Sequence, residues 1–178
     1  MRRQRQLSLG AILLLMTGAF PATARASSIV GDFSIAGNPN GEWTYGYTLT
    51  LGGTFIPYGT VGSPCDQWTQ SVTFTPLLLH NGGGCSFYTA TLPADVLLLH
   101  PGGSGEQSIV RWTAPASGTY DFEGLFEGLD GAGPTRSDVH ILLNSNTGAQ
   151  LFSDLVNDYL VSHPFSFSQS LALGDTID

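Results

Sequence analysis

The sequence predicts an all-β protein built as an antiparallel β-sandwich. After residue 26, apolar and polar residues alternate with a period of two along most of the chain, whereas the 3.6-residue period of amphipathic helices is nearly absent. Glycine and proline cluster between these segments, and 23 glycines and 10 prolines occur in 178 residues. Many short strands separated by such turns are typical of sandwiches and barrels.

The clearest predicted strand spans residues 119–127, with aromatic side chains on one face and acidic side chains on the other. A Pro-Ala-Ser-Gly turn at 115–118 precedes it, and another alternating segment covers 108–113. These two segments predict a β-hairpin, in which Trp112 shares a face with Val110 and belongs to the core.

The remaining strands are predicted less sharply, at residues 29–35, 43–48, 71–79, 138–143 and 149–152 and from 165 onwards. Pro76 indicates an edge or a bulge within the third of these segments. The run Leu77-Leu78-Leu79-His80 returns at residues 97–100, and we interpret the two copies as strand ends rather than as a repeat architecture.

Residues 1–26 read as a secretory signal peptide. Three arginines precede an apolar run at 7–20, and Ala24-Arg25-Ala26 supplies a small-residue cleavage site. The run falls short of the ~20 residues that span a bilayer, although an uncleaved anchor is the open alternative. Cleavage after Ala26 leaves a single β-sandwich domain at 27–178 without a transmembrane anchor, in a secreted, periplasmic or cell-surface protein.

Cleavage also changes the charge of the protein. The whole chain carries six arginines, no lysine and 14 acidic residues. Four arginines leave with the signal peptide, so the mature chain keeps Arg111 and Arg136 and a formal charge of −12. Two cations cannot form a phosphate-binding stripe, and the chain is therefore not expected to bind nucleic acid.

Cys65 and Cys85 are the only cysteines, and both lie in the exported part. Two cysteines in an oxidising compartment are expected to form a disulfide. A Cys/His metal site is the rival interpretation, but the CxxC-type spacing that it needs is absent.

Several segments resemble a group of exported bacterial proteins that often carry a PEP-CTERM sorting tail. They are residues 38–46, 100–102, 110–120, 135–144 and 173–178. The resemblance implies a jelly-roll-like module similar to carbohydrate-binding sandwiches, and no activity. The chain departs from the group because it has no sorting tail and stops at Asp178, where the group's last strand would begin. We therefore expect a C-terminal truncation that removes this strand and exposes a sheet edge.

Exposed aromatic rings are the first candidate binding groups, because flat rings stack on the C–H faces of sugars. The candidates are Trp43, Tyr45, Tyr47, Tyr58, Trp68 and Tyr88. Aromatic residues at alternating strand positions also serve as core, so a core role is the alternative for each.

Carboxylates around the glycine-rich loop 128–137 form the second candidate site. Glu127, Asp130 and Asp138 bracket this loop, and hard oxygen ligands on a loop suit a structural calcium ion. No EF-hand motif is present, and a solvated acidic face is the alternative. No cofactor is required by any motif in the sequence.

These observations give three hypotheses. The first is an exported, non-catalytic β-sandwich that binds extracellular carbohydrate or matrix polymer. The second is a structural surface or matrix protein without a small ligand. The third is a polysaccharide hydrolase, which would need two carboxyl groups about 5–9.5 Å apart. No nucleophile elbow or zinc-protease motif adds a catalytic residue, and the sequence assigns no oligomeric state.

Overall fold

The computed structural model describes residues 26–63, 65–71, 75–86, 89–90, 92–132 and 136–178, so Tyr88 and all but the last residue of the predicted signal peptide lie outside the described residues. The described chain contains strands and no helix. The strands are β1 (Trp43–Thr48), β2 (Ile56–Pro57), β3 (Thr60–Gly62), β4 (Asp66–Thr69), β5 (Leu77–Asn81), β6 (Val96–His100), β7 (Gln107–Thr113), β8 (Gly118–Glu127), β9 (Ser137–Leu142), β10 (Gln150–Val156), β11 (Ser162–Leu171) and β12 (Thr176–Ile177).

One layer of the fold is a row of six strands in the order β2-β1-β7-β12-β9-β10. The first four form one antiparallel sheet, and β9 and β10 form a hairpin. The two parts are joined because Leu142 and Asp178 exchange backbone N–H···O bonds of 3.0 Å in both directions. Leu143 also bridges to Ile177. The C-terminal residues are thus paired on both sides.

The second layer consists of the sheet β3-β4-β5-β6 and the two-stranded sheet β8–β11. Tyr45 and Tyr47 of β1 pack with Trp68 and Leu78 of the first sheet. Trp112 of β7 meets Tyr120 and Phe122 of β8 edge-on, with ring centroids 4.9 and 5.5 Å apart. Two layers with their apolar faces together confirm the predicted antiparallel β-sandwich. The jelly-roll connectivity stays a prediction.

Most of the predicted strands are confirmed, including those at 43–48, 119–127 and 138–143. The predicted strand at 29–35 is wrong. That segment turns, with hydrogen bonds from Asp32 N to Ser28 O and from Phe33 N to Val30 O. The Asp32 carboxylate accepts a further bond from Ser28 N at 2.9 Å. Side-chain bonds of this kind favour turns over strands.

The predicted hairpin of residues 108–113 and 119–127 is also wrong. β7 pairs with β1 and β12, and β8 pairs with β11 along its full length. The physical reason is the contact of Trp112 with the β8 aromatic rings, which places the two strands in opposite layers. The turn at 115–118 therefore carries the chain across the core. The two Leu-Leu-Leu-His segments are neighbouring strands, with Leu78 opposite Leu99.

A disulfide fixes the loop that follows β5. Cys65 and Cys85 are bonded, as predicted, with their Cα atoms 5.7 Å apart. Asn81 holds the same loop, because its side-chain amide donates to Leu92 O and Pro93 O and accepts from Gly83 N and Cys85 N. The loop thereby covers Leu77 and Leu79 on the outer face of its sheet.

We expect the Cys65→Ser/Cys85→Ser variant to lose about 2–4 kcal/mol of unfolding free energy, because its unfolded chain is no longer cross-linked over 20 residues. Urea denaturation followed by circular dichroism measures the loss. Reductant should destabilise the wild type equally and leave the double variant unchanged. Equal stability of oxidised wild type and variant would contradict the expectation.

Burial of tyrosine in the core predicts a distinct alkaline transition. Burial raises the pKa of Tyr45 from 10.0 to about 12 and raises that of Tyr58 as well. The folded state therefore holds these protons when the unfolded state releases them. The stabilisation is complete below about pH 10 and is lost as the pH rises through the folded-state pKa values.

Titration of tyrosinate absorbance alongside circular dichroism tests this expectation. Part of the tyrosine ionisation should coincide with loss of the sheet signal, and Tyr58→Phe should reduce that late step. Complete ionisation near pH 10 with the sheets intact would show that these rings are not enclosed.

Candidate binding site

The structure places four of the predicted stacking residues inside the core. Tyr45 is fully buried, and Tyr47, Tyr58 and Trp68 pack around it in one cluster. Ring faces enclosed by core side chains cannot stack on a sugar, so the assignment of these four residues to a binding surface is corrected. The alternation that identifies a strand leaves open which face is covered, and here the aromatic face is the covered one.

Trp43 is half-buried. Its ring packs against both core clusters, while Nε1 donates to Ser27 Oγ at 2.9 Å. Trp112 is buried, as predicted. The described residues therefore offer little aromatic surface at the predicted positions.

The three predicted calcium ligands each have other contacts. Glu127 accepts a hydrogen bond from Ser162 at 3.3 Å, Asp130 accepts one from Ala132 N at 2.9 Å, and Asp138 Oδ2 lies 3.0 Å from His140 Nε2. Within the described part of the chain, no three His, Cys, Asp or Glu side chains converge as a metal-binding group. Calcium binding at this loop stays a prediction.

A groove lies beside the edge strand β3. It has a volume of about 520 Å³, within the range of small-molecule sites. The described residues that line it are Thr60, Val61, Gly62, Ser63, Gln67, Thr69 and Ser71. None of these seven residues is charged, and five carry a hydroxyl or an amide. The groove can therefore exchange hydrogen bonds with a polar, uncharged group.

Gln67 is the one amide side chain among the described residues that line this groove. The residue is only 3% exposed, and its Nε2 donates to Ser63 O at 2.7 Å. Gly62 makes room for it, because a Cβ at this position would lie 2.6 Å from Nε2. This arrangement fixes the amide orientation, since the reversed amide would direct oxygen against oxygen.

The side-chain carbonyl oxygen of Gln67 is buried and has no hydrogen-bond partner among the described residues. An unpaired buried acceptor costs about 1–3 kcal/mol, so a native structure keeps one only where something compensates. A donor group that reached this oxygen, directly or through a bridging water, would satisfy it.

The sequence contains a weak signal for this groove. Trp68 faces the core, and the strand period then directs Gln67 and Thr69 to the opposite face of β4. Polar residues that alternate with a core tryptophan would normally be exposed, but both are buried here. Their burial follows from the packing around the edge of the sheet, which no local pattern predicts.

Another cleft, of about 420 Å³, lies next to the disulfide. It is lined by Asp66, His80, Ser86 and the glycines at 82–84, in addition to the two cysteines. Asp66 and His80 are cross-strand partners, and the His80 ring contacts Phe33 with centroids 5.2 Å apart. The contact with Phe33 shows that His80 contributes to packing.

Comparison with known proteins gives no assignment: no family model, no curated protein and no solved structure matches the chain. Among the described residues, no helix has the length and apolar character needed to cross a membrane. The disulfide fits an oxidising, extracytoplasmic compartment. The site must therefore be interpreted from its own geometry.

A hydrogen-bonded His–Asp pair between β11 and β10 predicts how the free energy of unfolding changes at acidic pH. His163 Nδ1 lies 2.7 Å from Asp154 Oδ2 and joins β11 to β10. This hydrogen bond, supported by the bond from Leu155 N, holds the pKa of Asp154 below 3.8. The stabilisation is complete above pH 3.8 and is lost as the pH falls through the lower folded-state value.

We expect Asp154→Asn to be less stable than the wild type at neutral pH and to lose less stability on acidification. Urea denaturation at a series of pH values measures both effects. Asp158→Asn, which removes an exposed acid in the segment that follows β10, is the matched control. Parallel pH profiles for wild type and Asp154→Asn would contradict the role of the pair.

Proposed function

We propose that the mature protein is an exported, non-catalytic β-sandwich module that binds extracellular carbohydrate or a related matrix polymer. The observation that carries the proposal is the hydroxyl- and amide-lined groove of about 520 Å³ with the unpaired Gln67 oxygen. Carbohydrates present many hydroxyl groups, each both donor and acceptor, which suits such a lining. Export is supported by the predicted signal peptide and the disulfide.

The chemistry of the groove favours binding over hydrolysis. Glycoside hydrolysis needs two carboxyl groups on either side of the scissile bond. The described residues that line this groove include hydroxyls, amides, glycine and valine, and no carboxylate. Exposed Val61 offers an apolar edge for the C–H groups of a sugar ring.

An alternative is a structural matrix protein, and one feature supports it. The segment after β10 exposes Tyr159, Leu160 and Val161, each by 44–46%. Leu160 N donates to Gly128 O, which anchors this apolar segment to the end of β8. Exposed apolar residues that are held in place are typical of macromolecular contacts.

Substitution of Gln67 by Met tests the proposed function. The change keeps the side-chain volume but removes the unpaired oxygen and the bond to Ser63. We expect affinity for the bound polysaccharide to fall about 5–100-fold, while the unfolding free energy changes by less than about 1 kcal/mol, because an unpaired buried acceptor is removed as well.

Affinity electrophoresis on a panel of soluble polysaccharides measures binding, and urea denaturation measures stability. Ser166→Ala, an exposed position on β11, is the control and should retain full affinity. If the folded mature protein bound no polysaccharide and instead self-associated, the structural alternative would replace the proposal.

A further inference from the structure

We infer that the groove beside β3 selects uncharged glycans and rejects those that carry carboxylate or sulfate groups. The inference rests on the carbohydrate-binding function proposed above and names its ligand class. Three observations carry it: the polarity of the Gln67 amide, the neutral lining of the groove, and the positions of the two cations of the mature chain.

The first observation is which atom of the Gln67 amide lacks a hydrogen-bond partner. Because Nε2 is occupied by Ser63 O, the group that Gln67 leaves unpaired is an acceptor. This oxygen is covered in the structure, so a ligand would have to displace its cover, and a sugar hydroxyl would then supply the donor. A carboxylate or sulfate is acceptor-only at neutral pH, so it would place oxygen against oxygen at this position.

The described lining of the groove contains no charged side chain. An anionic group that enters a groove loses part of its hydration, and this loss is costly unless a cation or several donors replace the water. The Thr69 hydroxyl already donates to Ser71 O at 2.8 Å, and the Thr60 hydroxyl can donate or accept but carries no charge.

Neither of the two arginines of the mature chain supplies a counter-charge at the groove. Arg111 is bound to Asp178 through Nε at 2.5 Å and Nη2 at 2.8 Å, and it lies over the Phe55 ring at 4.1 Å. Arg136 precedes β9, which belongs to the opposite layer from β3. The formal charge of −12 repels anionic polymers in addition, within a Debye length of about 8 Å at physiological salt.

Polysaccharides and their carboxymethylated derivatives test the inference, and uncharged hydroxyethylated derivatives control for the bulk that substitution adds. The probes are soluble uncharged β-glucan, xylan and galactomannan, each compared with its own carboxymethylated derivative by affinity electrophoresis and calorimetry. We expect at least one uncharged polymer to bind and its derivative to bind about tenfold more weakly or worse, at low and at high salt.

The outcomes separate the inference from the function on which it rests. Equal or tighter binding of the carboxymethylated polymers would overturn the inference and leave carbohydrate binding in place. Binding of none of the polymers, charged or uncharged, would overturn both.

A matched pair of lysine variants locates the origin of the selectivity. Val61→Lys places a cation at the groove, and Leu125→Lys places one on β8, at positions that are 46% and 56% exposed. Val61→Lys should reduce the ratio of the affinity for the uncharged polymer to the affinity for its carboxymethylated derivative. Leu125→Lys should leave this ratio unchanged. An equal effect of both would assign the selectivity to net charge and overturn the role of the groove.

Discussion

The apolar face of the β1–β7 ladder is the constraint on which both halves of the sandwich depend. Trp43 and Trp112 are cross-strand partners in this ladder. Trp43 packs against the cluster around Tyr45 and also against the cluster around Trp112. Large aromatic side chains contribute most of the buried area in such a core. Because both sheets of the second layer pack against this face, its aromatic residues are committed to packing and cannot serve as a binding platform.

The opposite face of the same ladder carries an ion pair that occupies one of the few arginines of the protein. Arg111 extends from β7 on that face, holds the Asp178 carboxylate with two bonds, and stacks on Phe55. Gly46 on β1 permits this stack, since a Cβ there would lie 2.6 Å from the Phe55 ring. A bidentate, largely buried pair fixes the position of β12 between β7 and β9. One of the two arginines left after the predicted cleavage thus has a structural role, which leaves the surface still more acidic.

The alternating pattern was sufficient to predict β1, β8 and β9, because each presents one apolar and one polar face. It could not predict the partner of β7, since the segment 108–113 is equally suited to a hairpin with β8 or to a ladder with β1. The choice depends on the Trp112 contacts across the core, which join residues distant in sequence. The groove was beyond prediction for a related reason: Gln67 is buried by neighbours outside its own strand, and a polar strand residue is by default assigned to solvent.

The aromatic residues of the protein pack in the core, whereas the described residues of the groove are mostly polar, and this difference determines how the groove would recognise a ligand. The described residues of the groove include no exposed aromatic ring, so they lack the large apolar contact that lets sugar-binding surfaces tolerate different hydroxyl patterns. In the proposed site, recognition would depend on hydrogen bonds whose directions are fixed, as the Gln67 amide is fixed by Ser63 and by the space at Gly62. A missing partner in such a site leaves a buried polar group unpaired, which discriminates more strongly than the loss of an apolar contact. The groove is therefore suited to modest affinity with a strict requirement for correctly placed donors.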